Sequence, residues 1–213
     1  MSNIIYAIYI SGRSSRLLEF IRGYGRIARE RIGVVISDTI IDDELKEKLI
    51  LTNISICAYE EHSASDFSDF MLNALREYDI DYCFSFGSSI LKGKILEVYK
   101  NRIINFHPSI LPMYPGINAI DQAYKSEKET FLIGNTAHFI DEGIDTGDII
   151  MQSVIPIRAY NDTKDYDVVL NLQIEMLVQL INIIDNNRLF QKDGKPYIEG
   201  ADYFRSTIYP YIE

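Results

Sequence analysis

Asn105 and His107 stand two residues apart in "NFHPSILPMYPG", and Asp145 follows 40 residues after Asn105 in "DEGIDTGDII". Asparagine supplies an amide donor, histidine a group that holds or passes a proton near neutral pH, and aspartate a carboxylate that can orient or charge it. Amide plus imidazole suits the stabilisation of an oxyanion during acyl transfer. The chain has no Gly-x-Ser-x-Gly turn, and neither cysteine sits in a reactive-looking pattern. An enzyme-bound acyl intermediate is therefore not expected, and the nucleophile would come from a substrate. A metal site is the weaker alternative, because these carboxylates adjoin glycines in a turn and neither His-x-His nor His-Glu-x-x-His occurs. Of the other two histidines, His62 lies in the polar "EEHSAS" and reads as a surface residue. His138, in "GNTAHFI", lies in a strand, where a lone histidine is more often structural than catalytic.

These residues need elements to position them. "IIYAIYI" is a β-rich run leading through "SGRSSR" (11–16) into "LLEFIRGY", which has helical spacing. A glycine-containing loop that opens a helix presents free N–H groups and a positive dipole end, an anion site that Arg13 and Arg16 would reinforce. It also suits a plain turn with a serine N-cap, and on this feature alone both remain open. It is neither GxGxxG nor GxxxxGK[ST]. "IGVVIS" (32–37) and "ISICAY" read as strands around a short helix in "DDELKEKLIL", whose acidic start suits the helix dipole. "SASDFSDFMLNALREY" reads as a capped helix, and "DYCFSF" and "RIINF" as further strands. Continuous apolar strands separated by helices indicate a mostly parallel sheet with helices on both faces. Ligands then bind beyond the carboxyl ends of the strands, where "SGRSSR", "SFGSSI" and "NFHPS" would fall. Beyond "RIINF" the pattern changes. "NTAHFI" and "DIIMQSVIPI" look antiparallel, a helix is expected over roughly 163–186, and "QKDGKPYIEG" reads as a turn between short extended segments.

The 213 residues suit one α/β domain over 1–213, and 47% hydrophobic with 24% charged residues is globular composition. A net charge of −10 argues against gripping phosphate backbones, so no nucleic acid is expected. The first twenty residues lack a signal peptide, and their apolar run is shorter than the ~20 residues a membrane span needs. Cys57 and Cys83 read as buried free thiols. The expectation is a cytoplasmic, reduced protein with no membrane partner.

"NFHPSILPMYPG" followed by "GNTAHFIDEGIDTGDIIMQ" resembles the folate-dependent formyltransferases. In these, an Asn-x-His-Pro-Ser-Leu-Leu-Pro segment and a downstream Asp-x-Gly motif form the active site. The resemblance runs from "ISGRSSRLLEFI" to near residue 186. It implies a Rossmann-like, mostly parallel twisted sheet and transfer of a formyl group from 10-formyltetrahydrofolate to a primary amine, without a metal. Within the family the chain looks most like the branch acting on phosphoribosylglycinamide in purine biosynthesis, although "DEGIDTGDII" is closer to other branches.

The resemblance assigns catalysis to Asn105, His107 and Asp145, with Asp145 holding His107 charged. The folate would lie along Phe86, Ser88, Ser89, Ile90 and Leu91 and along Ile140, Asp141 and Asp145. A phosphorylated acceptor would meet Gly12, Arg13, Ser14, Ser15 and Arg16, and Pro108 and His138 would also contact the acceptor, with Gln173 at the position that meets the amine. Met113 to Glu129 would form a lid. The chain departs from the family at "GRSSRL", where a second glycine is lost and arginines are added. It also has Ser89 where an arginine is usual and Gln173 where a glutamate is usual; Glu175 lies ~200° around the helix from that position. An amino-sugar nucleotide is the alternative acceptor, and a non-catalytic folate- or metabolite-binding homologue the alternative of another class. A monomer or homodimer is expected.

Overall fold

The computed structural model describes residues 4–12, 14–59, 66–126, 132–157 and 166–205. Nine strands and six helices lie in these ranges, in the order β1 (Tyr6–Ile10), α1 (Ser15–Arg31), β2 (Ile32–Ser37), α2 (Asp43–Leu51), β3 (Ser55–Ala58), α3 (Phe67–Glu77), β4 (Tyr82–Phe86), α4 (Lys94–Val98) and β5 (Ile103–His107). There follow α5 (Ala119–Lys125), β6 (Leu132–Phe139), β7 (Ile149–Pro156), α6 (Tyr166–Asp185), β8 (Leu189–Lys192) and β9 (Lys195–Ile198). A seven-stranded sheet has the order β3-β2-β1-β4-β5-β6-β7. The pairs β1–β2, β1–β4, β2–β3 and β4–β5 are parallel, as the apolar strand runs imply. The chain packs as two compact units, Met1–Phe106 with His138–Gly147, and His107–Ala137 with Asp148–Glu213.

In the first unit, every residue of β1 is buried, which is why its sequence reads as an unbroken apolar run. Its core gathers Ala7, Tyr9, Val34, Ile36, Met71, Leu75, Cys83, Leu91 and Ile103. Successive strands leave β1 in one direction to β2 and β3, then resume on its other side at β4. The order reverses between β1 and β4, and ligands bind beyond the carboxyl ends of the strands at such a reversal in sheets of this kind.

Helix α1 runs beyond "LLEFIRGY" to Arg31 and passes directly into β2; the helical dihedrals break only at Tyr24, between Gly23 and Gly25. Side chains cap α1, α2 and α3. Ser14 accepts from the Leu17 N–H, Asp42 from Leu45 and Asp66 from Asp69. Cys83 is buried as expected, but Cys57 is only partly so.

In the second unit, Ile120, Ala123, Ile133, Ile157 and Val169 form a core with Tyr114 and Tyr124 packed against it. Helix α6 is long and apolar enough to cross a membrane by length and composition, yet half of that stretch is buried, which accounts for its apolarity. Residues 163–165 of the expected helix lie outside the described residues. The expected C-terminal turn is the β8–β9 hairpin, closed by Asp193 and Gly194, both at positive φ.

Candidate active site

Strand β5 ends in Asn105 and His107, and side chains two apart on a strand share a face. In the first unit, Asn105 Nδ2 lies 3.2 Å from His138 Nε2. His138 is 2% exposed, and its Nδ1 sits 2.9 Å from the Phe139 carbonyl oxygen. A carbonyl only accepts, so Nδ1 carries the hydrogen, and Nε2 of the neutral ring is left to accept from the asparagine amide. Asp145 Oδ1 lies 3.5 Å from the same Nε2. Asn105, His138 and Asp145 thus form one set, in which protonation of His138 would create an ion pair with the carboxylate.

The turn carrying Asp145 is built from its own side chains. Asp141 Oδ1 accepts from the Gly143 N–H at 3.0 Å and the Thr146 hydroxyl at 2.7 Å. Asp145 itself adopts φ 54°, in the left-handed region that a non-glycine residue holds only when its surroundings fix it. Gly147 permits the closure: a Cβ there would stand 1.8 Å from the Phe139 carbonyl oxygen.

In the second unit, His107 is 4% exposed, and its Nε2 donates to the Tyr114 carbonyl oxygen at 2.8 Å. The "HPSILPMY" loop is fastened from the strands. Thr136 Oγ1 donates to Ser109 O at 2.7 Å and accepts from the Leu111 N–H at 2.9 Å. It also accepts from Gln152 Nε2 at 2.9 Å, while the same nitrogen meets Leu111 O at 3.0 Å. Ser109 Oγ donates to Met113 O. Thr136 and Gln152 escaped the sequence reading, since partners 25 and 41 residues away leave no local pattern.

Of the expected folate-side residues, Ser88, Ser89 and Ile90 are exposed, whereas Phe86 and Leu91 are buried. Phe86 stacks on Phe106, with ring centroids 4.9 Å apart. Ile140 packs against the first core and Asp141 is exposed. Among the expected acceptor residues, Gly12 has φ 59°, Ser14 is the N-cap of α1, and Ser15 opens its first turn. Arg16 lies across the Phe86 ring with its guanidinium carbon 5.1 Å from the centroid, and donates to Phe86 O at 3.4 Å. Burial lowers its pKa. Arg13 and His62 lie outside the described residues. Pro108 is half-buried, and Gln173 is 0% exposed within α6. The segment expected as a lid contains α5, and 127–129 lie outside the described residues.

The family model described as formyl transferase matches residues 7–181. Phosphoribosylglycinamide formyltransferase of Bacillus subtilis is 39% identical over 105 residues, 49% of this chain and 52% of that protein. The trifunctional purine biosynthetic protein adenosine-3 of Drosophila pseudoobscura pseudoobscura is 30% identical over 165 residues, 74% of this chain but 12% of that protein. The chain therefore spans about half the length, or much less, of these curated relatives. Among solved structures, glycinamide ribonucleotide transformylase 1 of Symbiobacterium toebii superposes with a TM-score of 0.80 at 27% identity, covering 93% of this chain and 95% of its own. A formyltetrahydrofolate deformylase of Pseudomonas syringae shares the fold, with a TM-score of 0.76 at 20% identity over 92% of this chain and 66% of its own.

Proposed function

This chain belongs to the formyl transferase family, and we propose that it transfers the formyl group of 10-formyltetrahydrofolate to a primary amine, that of phosphoribosylglycinamide. The observation that carries this reading is the set in which the Asn105 amide donates to His138 Nε2 and the Asp145 carboxylate lies 3.5 Å from the same nitrogen, with His107 two residues along the strand from Asn105. Relatives named for this reaction support the choice of acceptor.

The acceptor amine attacks the formyl carbon, forming a C–N bond and placing charge on the carbonyl oxygen. One N–H of the Asn105 amide serves His138, and the other serves the oxyanion. His107, whose Nε2 donates to the Tyr114 carbonyl oxygen, supplies the second polar group of the oxyanion site. Asp145 takes the surplus proton of the attacking nitrogen through water, and it passes to the folate nitrogen as the old C–N bond breaks. The products are the formamide and tetrahydrofolate. The loop at Gly12 to Arg16 holds the acceptor's phosphate at the N-terminus of α1.

The test is a transfer assay with 10-formyltetrahydrofolate against phosphoribosylglycinamide and a panel of amino-sugar nucleotides. Turnover with the first supports the reading, turnover only with the second moves the acceptor, and none with either overturns it. A stable folate analogue should also raise the melting temperature by mass action.

A further inference from the structure

Asp38, just past β2, is 8% exposed. One of its oxygens, Oδ2, accepts from the Tyr9 hydroxyl at 2.7 Å, the Ser11 hydroxyl at 2.8 Å and the Ser89 hydroxyl at 2.7 Å. The other, Oδ1, is buried with no hydrogen-bond partner among the described residues. A carboxylate so placed is poorly suited to stabilising a core, because burying an acceptor without a partner costs free energy.

What this carboxylate organises follows from counting hydrogens. Tyr9 has one hydroxyl hydrogen and spends it on Asp38, so its oxygen is free to accept the Ser89 N–H at 2.9 Å. Ser11 does the same: it donates to Asp38 and accepts the Ser88 N–H at 2.8 Å. Its 2.9 Å contact with the Ser88 hydroxyl must then be donated by Ser88. Both backbone N–H groups at the head of the loop after β4 are thus tied through one hydroxyl each to a single oxygen at the end of β2. The ring of Tyr9 closes the arrangement over Gly87, where a Cβ would fall 2.0 Å from the ring. Ser11 opens the loop after β1, so the same oxygen gathers both loops at the point where the strand order reverses.

We propose that Asp38 is a positioning residue that holds the loops after β1 and β4 in one fixed relation, through relays that run separately by way of Ser11 to Ser88 and Tyr9 to Ser89. This rests on the proposed function for what the loops bind, but not for the relays themselves. Ser88 and Ser89 are exposed, so their amides would exchange fast with solvent were they not tied back.

The test is amide hydrogen exchange across residues 86–91 in the full chain without substrate, followed by steady-state kinetics. Ser11→Ala should speed exchange at Ser88 and spare Ser89, and Tyr9→Phe should do the reverse. Asp38→Asn keeps one acceptor oxygen but loses the charge that makes these bonds strong, and should speed both by about tenfold. The same variant should raise the KM of acceptor and folate together by about tenfold while kcat stays within about threefold, a split expected when uniform binding is lost. Parallel changes at both amides in the two relay variants, or unchanged exchange in Asp38→Asn, would overturn the proposal. Because the exchange measurement needs no substrate, it stands even if the wild-type protein transfers no formyl group. Equally, a working transferase with unprotected amides would sink this inference and leave the function intact.

Discussion

His107 Nε2 donates to the carbonyl oxygen of Tyr114, seven residues further on, at 2.8 Å. Tyr114 takes φ 53°, so the chain turns back there and aims its carbonyl at the ring. The far end of the loop therefore requires the hydrogen on Nε2 of the histidine that begins it.

His107→Ala should lower formyl transfer by about two to four orders of magnitude, the scale of losing a positioned proton-handling group. Stability should fall by about 1–3 kcal/mol, since a buried ring is removed and the Tyr114 carbonyl loses its donor. Near-normal turnover in this variant would remove His107 from the chemistry.

Thr136→Val keeps the shape of the side chain but strands the Leu111 N–H and the Ser109 carbonyl. The expected cost is about 1–3 kcal/mol, read as a lower denaturation midpoint, together with faster amide exchange at Leu111. Unchanged exchange would mean that the prolines alone hold the loop.

Parallel strands covered on both faces need apolar residues at every position, so β1, β2 and β4 were legible as uninterrupted runs in the sequence. Asn105 and His107 were legible because they are close in sequence. The rest of the site was not: Asn105 meets His138 33 residues away, and Ser89 meets Asp38 51 residues away. Ser89 reads as the loss of an arginine until the fold supplies its partner. Helices α4 and α5 were missed because five and seven residues give too little periodicity. Helix α1 extends beyond "LLEFIRGY" to Arg31, and Gly23 and Gly25 within it meet no steric constraint in the fold.

Gly147→Ala tests the Asp145 turn. The added Cβ would strike the backbone carbonyl of Phe139, an atom that cannot rotate away. Destabilisation of about 1–3 kcal/mol is expected, with a fall in transfer because Asp145 is two residues away. Gly23→Ala is the control: it has open space in α1, and the melting temperature should hold or rise.

Burial first, then the bond to Asp38, raises the Tyr9 phenol well above its ordinary pKa of 10.0. Burial likewise raises Tyr82 and Tyr99. A raised folded-state pKa contributes stability that is complete below the unfolded value and is lost as pH climbs towards the folded one. Above pH 10 the unfolded chain should release the Tyr9 proton while the native chain retains it, so stability should drop by roughly 1.4 kcal/mol per pH unit for this residue. Denaturation midpoints between about pH 8 and 11 should fall less steeply in Tyr9→Phe than in the wild type. Equal slopes would show that Tyr9 ionises as readily folded as unfolded.

Thr136 and Gln152 hold the loop from outside it. Because the loop from His107 to Tyr114 is fastened by side chains that stand on β6 and β7, its shape is not encoded wholly in its own residues. Transplanting "HPSILPMY" into another scaffold would move the prolines and leave the fasteners behind. A working graft would have to carry Thr136 and Gln152, and Gly134 with them, whose missing side chain lets Ser153 of β7 approach: a Cβ there would sit 1.8 Å from the Ser153 carbonyl oxygen. The portable unit is a loop with its two supporting strands.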